Sequence, residues 1–460
     1  MNLFNVLLLS LGIVTTCQVM AQSTPETPHS PMCGSHELIQ HRDNQYPGYE
    51  MMSDQMMSNL QSILQSNLQA KDLSTVYTLP VVFHVVYNTP TENIHDSLIY
   101  SQLDVLNECF RRLNADTVNM RTDFENLVGD VKIQFELATV DPQGNSTSGI
   151  TRTPTLIYNF MGDMTDPNFY QDIYSNVFRI TDDQNGGVAA WNTDQYINVW
   201  IGDLSASTGV PGQSEEMLIG LATPPLNHSS FINVLDMSIL EEDGVILHYK
   251  SVGANNPIPY SIGSAANNNK SGKTMVHEMG HYLGLRHIWG DGDCGMDDYI
   301  LDTPLAASAS VGSCSFNLND CWDDINGQNL PNMVENYMDY STELCQNSFT
   351  IGQIEMMRLT LSTYRSGLLT NTAALTNLEP KLEVELFPNP ATGPFSLKFN
   401  TIQSEVQLVL TALDGKVISN KTFRDTHEIK EDMELANGMY LLNIYTQEGA
   451  YIKKRLIISE

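Results

Sequence analysis

The chain is poor in positive charge. Its 460 residues carry 23 Lys and Arg against 54 Asp and Glu, a formal net charge of −31. A surface of that sign repels phosphate backbones and excludes nucleic acid as a partner. Long apolar runs are scarce too: beyond the amino terminus none is long enough to cross a bilayer, so no transmembrane segment is expected. No Lys or Arg precedes Arg42. The apolar run Leu3–Leu11 and the small-residue site Val19-Met20-Ala21 still read as a signal peptide over 1–21, without the usual basic flank. There are seven cysteines, of which Cys17 would leave with the signal. Cys294, Cys314, Cys321 and Cys345 cluster late in the chain, and in an exported protein they imply two disulfides in one of three pairings. Cys33 and Cys109 remain, Cys109 on an amphipathic helical stretch.

What is present is concentrated at His277-Glu278-Met279-Gly280-His281-Tyr282-Leu283-Gly284-Leu285-Arg286-His287. This is H-E-x-x-H-x-x-G-x-x-H, complete at every fixed position. On a helix, His277 and His281 project from one face and can share an ion. Gly284 lets the chain leave the helix through a left-handed conformation and return His287 as a third ligand. Three neutral imidazoles leave the fourth zinc position for water, the arrangement of a catalytic site. Glu278 is placed to act as base toward that water. By contrast, Ser271-Gly272-Lys273-Thr274 is only the end of a phosphate loop, whose first glycine position holds Asn267.

Downstream lies Asn336-Tyr337-Met338-Asp339-Tyr340. With this second signal the chain resembles the metzincin clan of metallopeptidases, in which a methionine-bearing turn lies beneath the histidines. Met338 matches that methionine. Tyr340 matches a tyrosine bordering the metal, with a role in stabilising the oxyanion. Further segments in order sharpen the resemblance to the pappalysin-like family, peptidase family M43, over roughly residues 78–365. They include Pro80–Asn88, Gly220–Pro224, Asp243-Gly244-Val245 and Asp302-Thr303-Pro304. The resemblance implies the pairings Cys294–Cys321 and Cys314–Cys345. It implies substrate strand addition near Leu218, Gly220 and Ala222. It supports a reading of Asp297, Asp298, Asp302 and Thr303 as a calcium loop. It also implies an acidic group after the Met-turn, here Glu343, that selects Arg or Lys just after the scissile bond.

Residues 22–75 are polar and Met-rich, with a weak helical stripe at Met56, Leu60, Ile63, Leu64 and Leu68. This is read as a prosegment. Its Cys33-Gly34 can cap zinc with a thiolate, as the family resemblance also suggests, or Cys33 can pair with Cys109. Residues 76–370 form the expected α/β catalytic domain, a mixed twisted sheet with the zinc helix packed on it. Strands are predicted at Leu79–Tyr87, Lys132–Ala138, Tyr196–Ile201 and Val245–Tyr249, and a helix over Tyr100–Asn114. A linker at 371–381 leads to residues 382–460, an all-β sandwich. Leu386–Pro390, Leu413–Val417, Gly438-Met439-Tyr440 and Lys453-Lys454-Arg455 give it the look of a type IX secretion sorting domain.

The expectation is therefore a zinc-dependent endopeptidase with a candidate calcium loop, made as a latent proenzyme. It would act on proteins or peptides, and be secreted or cell-surface attached after export by the type IX machinery. The alternatives are a non-catalytic surface adhesin retaining the protease fold, and a zinc amidase acting on cell-wall peptides.

Overall fold

The computed structural model describes residues 33–66, 74–216, 218–225, 242–258, 270–312, 314–370, 384–412, 416–446 and 451–459. The expected signal peptide and the linker lie outside the described residues. Two helices come first, α1 (Ser35–Gln45) and α2 (Tyr49–Ser66). The stripe read on α2 holds in part: Met56 and Leu60 are buried, together with Met57, whereas Ile63 is exposed. Leu68 lies outside the described residues. Met56, Met57 and Leu60 pack into the same core as the zinc helix, and Leu38 of α1 joins a second cluster around Phe178 and Trp200. The first 34 described residues are thus docked by apolar burial.

The main sheet follows. It is built from β1 (Tyr77–Tyr87), β2 (Ile133–Leu137), β3 (Ile150–Pro154), β4 (Ile197–Gly202), β7 (Gly220–Ala222) and β8 (Val245–His248). A small hairpin, β5 (Ser205–Ser207) with β6 (Ser214–Glu216), stands apart. The strand order is β2-β1-β4-β8-β7, with β3 beside the second half of β1. All pairings are parallel except β7, which runs antiparallel to β8 at the edge. β1 and β4 are apolar nearly throughout because both faces are covered. Helices α3 (Asp96–Phe110), α5 (Lys273–Tyr282) and α6 (Ile351–Thr363) supply the core; α4 (Phe169–Val177) packs with the second cluster. This is the mixed α/β sheet expected from the sequence.

The C-terminal module is all-β. It comprises β9 (Val384–Phe387), β10 (Phe395–Ala412), β11 (Val417–Glu431), β12 (Gly438–Thr446) and β13 (Tyr451–Ile458). Its strands form one antiparallel sheet, β11-β10-β12-β13 with β9 on β10, around its own apolar cluster. The two alternating runs Phe395–Phe399 and Glu405–Leu410 belong to the single strand β10. A register break between Lys398 and Gln403 interrupts it. β11 escapes sequence reading because most of its side chains face solvent. Among the described residues no helix is long and apolar enough to cross a membrane.

His84, in the middle of β1, is fully buried, with Nδ1 2.8 Å from Thr151 Oγ1 and Nε2 3.0 Å from Asn198 Oδ1. Burial lowers its pKa from 6.5 to about 4. The unfolded chain therefore binds the extra proton first as pH falls, and stability from this residue is full above 6.5 and lost toward 4. The loss amounts to about 3 kcal/mol at most. The difference in unfolding free energy between wild type and His84→Gln should shrink across that window. A difference independent of pH would show that His84 does not titrate on unfolding.

Candidate metal centre

Helix α5 carries the first half of the site. All ten of its residues are buried, and Gly272 at its N-cap has a left-handed φ of 77° with no side-chain cap. The missing cap is supplied from far along the chain. Glu343 accepts the N–H of Ser271 at 2.6 Å and of Thr274 at 2.9 Å, a carboxylate at a helix N-terminus. The helix ends at Gly284, whose φ of +91° suits glycine, and the chain turns back to His287.

Each imidazole is oriented by a bond from Nδ1. His277 donates to Tyr337 O at 2.7 Å, His281 to Leu285 O at 2.9 Å, and His287 pairs with the Asp291 carboxylate. The Nε2 atoms then carry lone pairs and converge: His281 lies 3.0 Å from His277 and 3.1 Å from His287. Burial foremost, then the crowding of a neighbouring imidazole that would also have to be protonated, lowers His277 to about 3 and His281 well below its ordinary value. Neutral imidazole is the form that binds metal. Cys33 completes the group, the ligand atoms of all four residues lying within 4.8 Å of one another. Tetrahedral zinc with three nitrogens and one thiolate needs ligand atoms roughly 3.3–3.8 Å apart. The donor set of three imidazole nitrogens and one thiol fits zinc, and its atoms are already gathered to within a few tenths of an ångström to about one ångström of that spacing. Burial and the Glu278 carboxylate push the Cys33 thiol well up, and a cation among the imidazoles reverses that balance.

The Met-turn lies beneath. Met338 is fully buried, and a side chain at Gly280 would run into its sulfur. Asn336 builds the turn: its Oδ1 accepts Met338 N–H at 2.9 Å, and its amide exchanges bonds with Gln353 of α6. Tyr340 stands with its ring 5.7 Å from that of His277 and 4.8 Å from that of His287. Trp289, unremarked in the sequence, stacks on His287 at 4.3 Å.

The prosegment enters this centre. Glu278 is fully buried, its Oε2 3.5 Å from Cys33 Sγ and 3.3 Å from Ser35 Oγ. Burial raises its carboxyl to about 8. Its Oε1 lies against Gly220, where an added Cβ would sit 2.6 Å away. Beside the edge strand β7, Gly34 N–H donates to Gly220 O at 3.2 Å, and Cys33 pairs with Gly220 in parallel. Ser35 Oγ accepts Ala222 N–H at 3.1 Å and lies 3.2 Å from Ala222 O. Tyr340 OH donates to Cys33 O at 3.2 Å. Farther out, Arg42 pairs with Glu242, and Arg286 donates to Asp54 at 2.6 Å. Ser35 and the Glu343 cap are contacts between distant segments, whereas Asp291 lies only four residues past His287, in a turn that carries no periodic pattern.

The cysteine pairing implied by the resemblance is found, and other expectations meet a different arrangement. Cys33 and Cys109 are both free and buried, so the Cys33–Cys109 alternative is not adopted. The other four cysteines pair as Cys294–Cys321 and Cys314–Cys345. Glu343 is buried rather than solvent-facing and lines the hollow beside His277, Glu278 and Tyr340. In the acidic loop, Asp298 accepts from Thr303 Oγ1 at 2.9 Å and Ile300 N at 2.9 Å. Asp297 serves Tyr299 N and Asp302 serves Gly352 N. Among the described residues these carboxylates are not part of a group of converging metal-ligating atoms.

A family model described as pregnancy-associated plasma protein-A, of peptidase family M43, matches residues 227–362. A second, the secretion system C-terminal sorting domain, matches residues 385–459. An extracellular metalloprotease of Arthroderma benhamiae is 33% identical over 135 residues, 29% of this chain and 42% of that protein. The chain thus spans well under half of that relative's length. Among solved structures, a promirolysin mutant of Tannerella forsythia superposes with a TM-score of 0.58 and 34% identity. It covers 75% of this chain and all of its own. Mature mirolysin of the same organism, in complex with a cleaved peptide, gives 0.53 and 37%, over 66% of this chain and 99% of that one.

Proposed function

We propose that this chain, which belongs to the pappalysin-like M43 family of metallopeptidases, is a zinc-dependent endopeptidase made as a latent proenzyme. Its C-terminal sorting domain directs it to the type IX pathway, so it is secreted or held at the cell surface. The observation that carries the reading is the convergence of three Nε2 lone pairs beside Glu278, on a cleft whose edge strand is free to pair with a peptide once the prosegment leaves. The full length and sequence identity shared with a proenzyme structure support the latent form.

His277, His281 and His287 would hold zinc, which supplies Lewis acidity toward a water and the scissile carbonyl. The remaining work falls to the protein. Glu278 takes a proton from the attacking water and returns it to the leaving amine. β7 pairs with the substrate main chain through Gly220 and Ala222, with Leu218 buried behind. Tyr340 donates to a carbonyl oxygen, as it does here to that of Cys33, and so favours the oxyanion. Removing the base while keeping the ligands separates these roles. Mature Glu278→Ala should retain zinc and lose at least about 10²-fold in kcat. His287→Ala should lose zinc. A zinc-loaded wild type that cleaves no protein substrate would favour the adhesin reading instead.

Latency is read from the same contacts. Cys33 caps the metal, and Ser35 occupies both the base and the main-chain groups of Ala222 that a substrate would use. Cys33→Ala should hasten activation. Ser35→Ala should do so too, while leaving the thiol ligand in place. Identical activation time courses for wild type and Ser35→Ala would remove Ser35 from the lock.

Specificity rests on Glu343. Its carboxylate lines the hollow, but two backbone N–H groups already engage it and burial raises its pKa. We assign it a preference for Arg, then Lys, after the cut bond, moderated by this capping role. Peptide-library profiling of Glu343→Gln should show that preference weakened. An unchanged profile would leave Glu343 as a helix cap alone. The calcium loop at Asp297, Asp298, Asp302 and Thr303 takes no part in this reading.

A further inference from the structure

A buried ion pair joins the two walls of the cleft. Arg365, just beyond α6, pairs with Asp243 through two bonds, Nη1–Oδ2 at 2.5 Å and Nη2–Oδ1 at 2.9 Å. Both residues are essentially inaccessible, at 4% and 1% exposure. The third donor, Arg365 Nε, reaches Tyr282 O at 2.8 Å, and the guanidinium lies 3.4 Å over the Tyr282 ring. Tyr282 is the last residue of the zinc helix α5, immediately before the turn that delivers His287. On the other side Asp243 Oδ1 accepts from Thr223 Oγ1 at 2.8 Å. Thr223 is the first residue after the edge strand β7, and its hydroxyl also accepts Gly244 N–H at 2.9 Å. One chain of bonds therefore runs from the end of the metal-bearing helix to the end of the strand that would receive substrate.

We propose that the Arg365–Asp243 pair, acting through Thr223 and Tyr282, is a positioning device. It fixes the distance between the substrate-pairing edge and the metal ligands. The inference rests on the endopeptidase reading. A buried ion pair contributes little net stability relative to apolar residues of the same shape, because desolvation offsets the attraction. What it does supply is direction: a planar fork accepts only one arrangement of its partners. Here every donor of the fork that is accounted for ends on a group bordering the cleft or on the carboxylate that relays to it. Shifts of an ångström between bound carbonyl and catalytic groups are costly in rate, which makes such a spacer consequential.

Thr223 is the point at which to test it, since it lies at the rim of the network and touches neither metal nor base. Mature Thr223→Val keeps the shape and loses the hydroxyl. It should lower kcat/KM for a peptide spanning both sides of the cut roughly tenfold, mostly through kcat. Zinc content and thermal midpoint should stay near wild type, and Thr223→Ser should restore the rate. Arg365→Lys, which keeps the charge but not the fork, should show the same split even if Thr223→Val folds poorly. Wild-type kcat and KM in both variants would overturn the inference. So would a deficit that follows only the thermal midpoint and that Thr223→Ser fails to restore. A wild type that binds zinc yet cleaves no peptide would instead bring down the endopeptidase reading, and this inference with it.

Discussion

Three imidazole nitrogens converge, with separations of 3.0 and 3.1 Å, and lone pairs brought so close in a dry interior repel one another unless they share a cation. That repulsion is the constraint around which the rest is arranged. Each Nδ1 is bound to an acceptor, so no ring can turn its proton inward to relieve it. The acceptors come from separate places: the carbonyl before the Met-turn methionine, the carbonyl after the helix break, and Asp291. Holding them requires the Asn336–Gln353 amide exchange, the Gly284 turn and the Glu343 cap at the far end of α5. The metal chemistry is local, but the scaffold that makes it possible spans residues 271 to 353.

The prosegment uses the same physics that would bind a substrate. It pairs with β7, offers a carbonyl to Tyr340 and brings a polar group to Glu278. Yet its pairing with Gly220 is parallel, in the opposite sense to the antiparallel β7–β8 pairing on the other side of that strand. Its hold is also spread widely. Leu38, Tyr49, Met56, Met57 and Leu60 are buried in the body of the protein, and Arg42 and Asp54 add ion pairs at a distance from the metal. Release therefore requires undoing apolar burial as well as whatever hold Cys33 would have on a metal. Loss of the Cys33 contact alone would loosen the lock rather than expel the segment.

Legibility followed range. The zinc motif was readable because its ligands are set by helical spacing and one glycine, both local. β1, β4 and β8 were readable because strands buried on both faces are apolar runs. β11 was not, since a strand such as Val417–Glu431 with most residues exposed has little apolar signal to offer. The α2 stripe was half right for a related reason: the burial of Met57 and exposure of Ile63 depend on what the helix packs against, not on its period. Ser35 and Arg365 were invisible as site residues because each matters through partners that only the fold brings near, and Asp291 and Trp289, though close to His287 in sequence, lie in an irregular turn that offers no period to read. The acidic loop shows the converse. Close spacing of Asp297, Asp298 and Asp302 in sequence did not by itself make a metal-ligating group.

Two glycines show how tightly the site is closed. At Gly220 a Cβ would press on the Glu278 carboxylate, and at Gly280 it would press on the sulfur of Met338. One sits on the edge strand above α5 and the other on the helix face above the Met-turn. Neither needs the conformational freedom of glycine, since neither has a positive φ. What each supplies is the missing side chain, which lets strand, helix and turn stack at backbone distance. The base is thereby held against the strand that would carry the substrate, and the ligand-bearing helix against the turn that orients His277. Close approach also explains the burial of Glu278. With no room for water around Oε1, its carboxyl is pushed to about 8 while the prosegment is docked. Departure of Cys33 and Ser35 opens that face, so the event that frees the edge strand also returns water to the base.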